Sequence, residues 1–119
     1  MIKELAKERA EIYQVFSNDK RVLIFWLLAK NEAMSVNEIA EAIGTTIQNT
    51  SQHLRLMKTK NILDSTRDGQ TIHYRIADTK EGRFSLYIHR EVIEDIQKAH
   101  PVDEPYYFDI KLSEDWYDR

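Results

Sequence analysis

Between Thr45 and Leu63 the chain reads TTIQNTSQHLRLMKTKNIL. Gln48, Asn49, Ser51 and Gln52 are short, uncharged side chains that both donate and accept hydrogen bonds, and they crowd into two turns of one segment. A helix kept only for packing would carry Glu, Lys and Ala there, because Ser, Thr, Asn and Gln are mediocre helix formers or cap residues. Their chemistry suits another task. An amide presents a donor and an acceptor together and can pair with the major-groove edge of adenine. Arg55, Lys58 and Lys60 follow directly and bring the charge that phosphate oxygens attract. On its own, the same face reads equally well as ordinary solvated helix surface, so the surrounding elements must decide.

Those elements can be read from spacing and cap residues. Ile47, Thr50, Leu54 and Met57 fall at steps of three and four, a helix with these residues turned inward and Thr46 as its cap. Before it, SVNE at Ser35–Glu38 forms a capping box, Val36, Ile39, Ala40 and Ile43 face inward, and Gly44 stops the helix. Two helices joined by a tight Gly-containing turn make a helix-turn-helix. Next, Ile62–Arg67 and Gln70–Ala77 are strand-like, with Asp68-Gly69 as a two-residue hairpin signal. This predicts a β-wing with Arg67 and Gln70 flanking its tip and Arg75 further down. Tyr74 is expected in the core, and Gly69 serves backbone geometry.

Upstream, Ile2–Phe16 has helical apolar spacing, SNDK breaks it, and Asp19–Lys30 is apolar nearly all round, which places that helix at the centre. NEAMSV is a connector. Thr79–Ala99 reads as one last helix with Phe84, Ile88, Val92 and Ile96 in a stripe, widened by Tyr87 and Ile93, and Pro101 ends it. The fold class expected is mainly α with a small β-wing, about five helices and a hairpin. It occupies residues 1–100, followed by a tail at 101–119.

Bulk composition limits the alternatives. The 119 residues suffice for one domain with a modest core. Cysteine is absent, which excludes disulfides, thiolate metal sites and a cysteine nucleophile. No Ser-His-Asp arrangement, phosphate loop or pair of carboxylates in a cleft can be argued, so an enzyme is not expected. VLIFWLLA (Val22–Ala29) is the longest apolar run, far too short to span a bilayer, and MIKELAKERAE lacks an apolar signal core. A cytoplasmic protein without membrane contact is expected. The net charge of −3 is unevenly spread: residues 1–60 hold 9 basic and 7 acidic groups, whereas residues 101–119 hold 2 and 6. A basic face on an acidic protein is compatible with nucleic-acid binding.

With these elements in order, the chain resembles the ArsR/SmtB family of winged-helix repressors. FSNDKRVLIFWLL is similar to the family's Ser-x-Pro-x-Arg-apolar run, with Arg21 at the Arg. TSQHLRLMKTKNIL resembles its Ser-Gln-His-Leu-x-x-Leu-x-x-x-Gly-Leu signature, and RDGQTIHYRI its Arg-x-Gly-x-x-x-x-Tyr wing. The likeness covers about residues 5–98. Asp19 stands where the family usually has Pro, Asn61 replaces a Gly, and the metal-sensing cysteines are missing.

The resemblance implies a homodimer joined through the first and last helices, with Leu5, Ile12, Phe84, Ile88, Val92 and Ile96 at the interface. Physically, that stripe would be an exposed patch on a monomer and a buried seam in a dimer. It implies DNA contacts by Gln48, Asn49, Ser51, Gln52, Arg55, Lys58, Arg67, Gln70 and Arg75. His53 lies between the outward and inward faces and reads either as a half-buried structural histidine or as a contact. Some family members hold a zinc-like metal on the last helix. The corresponding positions here are Tyr87, His89, His100 and Asp103; Tyr replaces the first ligand, so no cofactor is expected, with His89, His100 and Asp103 as the residual candidates. The tail, acidic and carrying Tyr106, Tyr107, Phe108, Trp116 and Tyr117, reads either as packing over the dimer helices or as a site for a protein partner. The function expected is sequence-specific DNA binding by a homodimeric repressor on an inverted repeat. The rival is a winged-helix interaction module working through its wing or tail. Such a module would show apolar or acidic residues where this chain has Gln, Asn, Ser and Arg.

Overall fold

The computed structural model describes residues 1–99; His100, Asp103 and the tail at 101–119 lie outside the described residues. Helix α1 spans Ile2–Val15 and α2 spans Asp19–Lys30. The Asn18 side chain caps α2 by accepting from the Arg21 backbone N–H at 3.2 Å. Ile24, Phe25 and Leu27 of α2 are fully buried, as an all-round apolar helix requires.

Strand β1 (Met34–Ser35) precedes α3 (Val36–Ile43). Within the segment expected to be only a connector, these two residues pair antiparallel with the wing, Met34 opposite Tyr74. A pairing this short leaves no alternation to detect in the sequence. The capping box of α3 forms as expected: Ser35 N donates to Glu38 Oε1 at 2.9 Å and Glu38 N donates to Ser35 Oγ at 3.2 Å. Gly44 ends the helix at φ 70°, a left-handed conformation that glycine adopts without steric cost.

Helix α4 (Ile47–Thr59) closes differently. Asn61 takes φ 63°, the Asn61 N–H bonds to the Lys58 carbonyl at 2.9 Å, and the Ile62 N–H reaches back to the Met57 carbonyl at 3.0 Å. This is the Schellman arrangement, with Asn doing what Gly usually does. It sets the turn into β2 (Leu63–Asp68), which pairs with β3 (Thr71–Ile76); the sheet order is β1-β3-β2. Asp68 is opposite Thr71, so the two turn residues are Gly69 and Gln70 rather than Asp68 and Gly69. Gly69 at φ 63° occupies the first central position, as a II′-type hairpin demands.

The expected single last helix is two, α5 (Lys80–Ile88) and α6 (Arg90–Ala99), parted at His89. Hydrogen bonds continue on both sides of the break, from His89 N to Ser85 O and from Ile93 N to His89 O. His89 turns its ring into the core, where the Trp26 indole N–H donates to Nδ1 at 3.0 Å. Phe84, Ile88, Val92 and Ile96 are half-buried against the core of their own protomer, so the stripe is not the fully exposed patch the sequence suggested. Ile12 is 6 % exposed and belongs to that core.

Candidate nucleic-acid interface

The hydroxyl of Thr46 accepts from the Asn49 N–H at 3.0 Å and fixes the start of α4. Leu54 and Met57 anchor the helix in the core, and Thr50 is buried with its hydroxyl donating to the Thr46 carbonyl at 2.8 Å. This inward face turns Gln48, Asn49, Gln52, Arg55 and Thr59 to solvent, while Ser51 is half-buried. Ile47, expected inward, is 54 % exposed. It sits on the first turn, beyond the end of the core that Leu54 and Met57 reach.

His53 is half-buried, and its surroundings favour the structural reading. Arg21 Nη1 lies 3.4 Å from His53 Nδ1, while Arg21 Nε donates to the Val15 carbonyl at 2.7 Å. One guanidinium therefore ties the end of α1 to the middle of α4. Guanidinium only donates, so His53 Nδ1 is the acceptor. Burial, reinforced by the Arg21 charge, lowers the His53 pKa, while Asp19 acts in the opposite direction. Arg21 was legible only as a match to the family's Arg; nothing in its spacing revealed what it holds.

The wing stands beside α4 and is fastened to it. Lys58 Nζ donates to Ser65 Oγ of β2 at 2.7 Å, so Lys58 braces the wing as well as carrying charge. Arg75 is half-buried and donates to Thr66 Oγ1 across the hairpin at 3.1 Å. Arg67 and Gln70 remain exposed at the tip. The exposed amides of α4 and Arg67 at the wing tip thus belong to one braced unit.

A second surface carries exposed apolar groups. Ile2 (81 % exposed), Leu5 and Tyr13 fall on one side of α1 by helical spacing, and Leu86 and Tyr87 (60 % exposed) lie on α5. The two helices meet at Phe84, which is flanked by the Arg9 guanidinium at 3.7 Å and the Tyr13 ring at 5.8 Å. Lys80 and Glu8 form an ion pair at 3.5 Å beside them. Ile2, Tyr13 and Tyr87 belong to the apolar spacing of the first and last helices in the sequence, which does not distinguish these exposed positions from buried Ile12; Leu86 lies outside that spacing.

His89 is poorly presented for a metal. Its Nδ1 is engaged by Trp26, its Nε2 is buried, and Phe16, Phe25 and Trp26 surround the ring with centroids 4.4, 5.3 and 6.2 Å away. Burial pushes its pKa down to about 4. Among the described residues no group of three or more His, Asp or Glu side chains could hold a metal ion. No helix among them is long and apolar enough to cross a membrane.

A three-stranded wing packed on a helix-turn-helix defines a winged-helix domain. The sequence profile of a helix-turn-helix domain family matches residues 5–66. The chain is 39 % identical over 66 residues to the HTH-type transcriptional regulator KmtR of Mycobacterium tuberculosis, covering 56 % of this chain and 50 % of KmtR. It is 35 % identical over 71 residues to the HTH-type transcriptional regulator YgaV of Escherichia coli, covering 60 % and 72 %. Among solved structures, the homodimeric winged helix-turn-helix DNA-binding domain of Mb0332 from Mycobacterium bovis, a possible ArsR-family regulator, superposes with TM-score 0.65 at 26 % identity, covering 82 % of this chain and 90 % of that one. The chain belongs to this helix-turn-helix family, in its ArsR/SmtB winged-helix branch. It spans half the length of KmtR.

Proposed function

We propose that the protein is a homodimeric, sequence-specific DNA-binding transcriptional regulator that represses by occupying an inverted repeat. One observation carries this reading: Gln48, Asn49, Gln52 and Arg55 stand exposed together on a capped helix whose opposite face is locked into the core. An α-helix fits the major groove, its N-terminal residues meet base edges, and amides there can pair with adenine. Arg55 and the remaining hydrogens of Lys58 serve phosphate contacts, and Arg67 and Gln70 reach the backbone or minor groove from the wing tip. His53 acts from behind the interface. The names of the relatives and the absence of any acidic residue from α4 favour DNA over a protein partner.

Dimerisation in this reading uses the exposed apolar groups of α1 and α5, Leu5 among them, together with the outer flanks of Phe84, Ile88, Val92 and Ile96. Ile12 takes no part, being inside the protomer. A two-fold dimer sets its recognition helices about 34 Å apart, one turn of DNA. A cytoplasmic location follows from the regulatory role. The acidic tail at 101–119 is a candidate site for a protein partner. The enclosure of His89 favours an inducer other than a zinc-like metal.

Selection from a random duplex pool tests the proposal. The expected product is a two-fold symmetric sequence with half-site centres about 10 bp apart. A pool that stays unenriched, or a product without symmetry, would overturn it.

A further inference from the structure

Ile47 is the first residue of α4, a branched aliphatic side chain left 54 % exposed beside Gln48 and Asn49. It does not serve the protomer in the usual ways. It is absent from the core and from the side chains packed against it. The cap is supplied by the Thr46 hydroxyl. β-branching lowers helix propensity rather than raising it. By helical spacing it lies one turn before Ser51, on the flank of α4 from which Lys58 reaches the wing. Its Cβ points toward the helix N-terminus, the end that enters a major groove.

The major groove offers one projecting apolar group, the C5 methyl of thymine; the rest of its readable pattern consists of hydrogen-bond donors and acceptors. Resting on the DNA-binding reading above, we infer that Ile47 is a specificity-determining residue that packs on a thymine methyl in each half-site. The adjacent amides make this combination coherent, since Gln48 or Asn49 can pair with an adenine while Ile47 covers a neighbouring thymine. The preference is then for a methyl group at one position, independent of hydrogen bonding.

The test uses the duplex selected from the random pool, with each thymine replaced singly by 2′-deoxyuridine, which removes the methyl and keeps every hydrogen-bonding group. Wild type, Ile47→Ala and Ile47→Val are titrated in turn. One thymine per half-site should be found whose demethylation weakens wild-type binding about fourfold, the value of one buried methyl. Ile47→Ala should bind the thymine duplex more weakly and lose that position's sensitivity, and Ile47→Val should retain most of it. The side chain is exposed, so thermal melting of the variants should match wild type. Wild-type indifference to demethylation at every thymine overturns the inference, as does an Ile47→Ala protein that keeps the fourfold response; both leave DNA binding standing. Absence of binding to any duplex at low salt overturns the DNA reading and this inference with it.

Discussion

Arg21 and His53, 32 residues apart in sequence, face each other at 3.4 Å between Nη1 and Nδ1, and the same guanidinium holds the Val15 carbonyl at 2.7 Å. The contact joins the end of a helix that bears the exposed apolar groups Ile2, Leu5 and Tyr13 to the recognition helix. Lys cannot reproduce the fork of a guanidinium. Arg21→Lys should therefore lose about 1 kcal/mol or more of stability through the weakened bond to Val15. It should also lower DNA affinity, because a displaced α4 carries Gln48, Gln52 and Arg55 away from their contacts. Urea unfolding and binding at several salt concentrations check the two parts; unchanged stability would show that the bridge holds nothing.

Much of this arrangement was legible in the sequence, for reasons that differ by element. The caps at Asn18, Ser35, Thr46 and Gly44 are local rules written in a few residues; α2, α3 and α4 begin where those rules place them, and α3 ends at Gly44. The amide row of α4 was legible for the same reason. What escaped depends on contacts distant in sequence. Trp26 and His89 are 63 residues apart, and their hydrogen bond accompanies the break in the last helix at His89, where period alone shows an unbroken stripe. Ile47 fits the inward period, yet the core ends before reaching it, which no period can reveal.

His89 makes stability depend on pH. In the fold its imidazole is kept neutral by burial, with a pKa lowered from 6.5 to about 4. The unfolded chain takes up a proton as pH falls through 6.5, while the folded chain resists until about 4. The stabilisation is complete above 6.5 and is lost progressively down to about 4. His53, also shifted down, adds in the same direction. His89→Gln retains an acceptor for Trp26 without titrating, so its melting temperature should fall less than that of wild type between those values. Parallel curves for the two proteins would contradict the assignment.

The same enclosure predicts indifference to metal. Added zinc, or chelation, should leave DNA affinity within twofold, because Nδ1 is held by Trp26 and Nε2 is buried. A zinc-dependent loss of affinity would restore His89 as a ligand.

Gly82 sits where a Cβ would collide with the backbone carbonyl oxygen of Ala77, and its N–H donates to Thr79 Oγ1 at 2.9 Å to cap α5. Alanine is the better helix former by about 1 kcal/mol, but a backbone collision outweighs that. Gly82→Ala should destabilise by about 1–3 kcal/mol. Thermal unfolding followed by circular dichroism would show the lowered midpoint, and a midpoint at or above wild type would contradict the close approach.

Base-reading and phosphate-holding side chains should separate by their salt response. Gln48→Ala or Gln52→Ala should cost about 1–3 kcal/mol on the selected duplex and little on a scrambled one. Arg55→Ala or Arg67→Ala should weaken both duplexes alike and reduce the salt slope by about one phosphate. Equal losses on both duplexes for the Gln variants would remove them from base recognition.

The most direct measurement is a fluorescence anisotropy titration of the full chain against the selected duplex and its scrambled counterpart at two salt concentrations. Tight, salt-sensitive binding that strongly favours the selected duplex, with one dimer bound per site, is the expected result. No binding to either duplex at low salt would contradict it, and the exposed amides of α4 would then need a different partner.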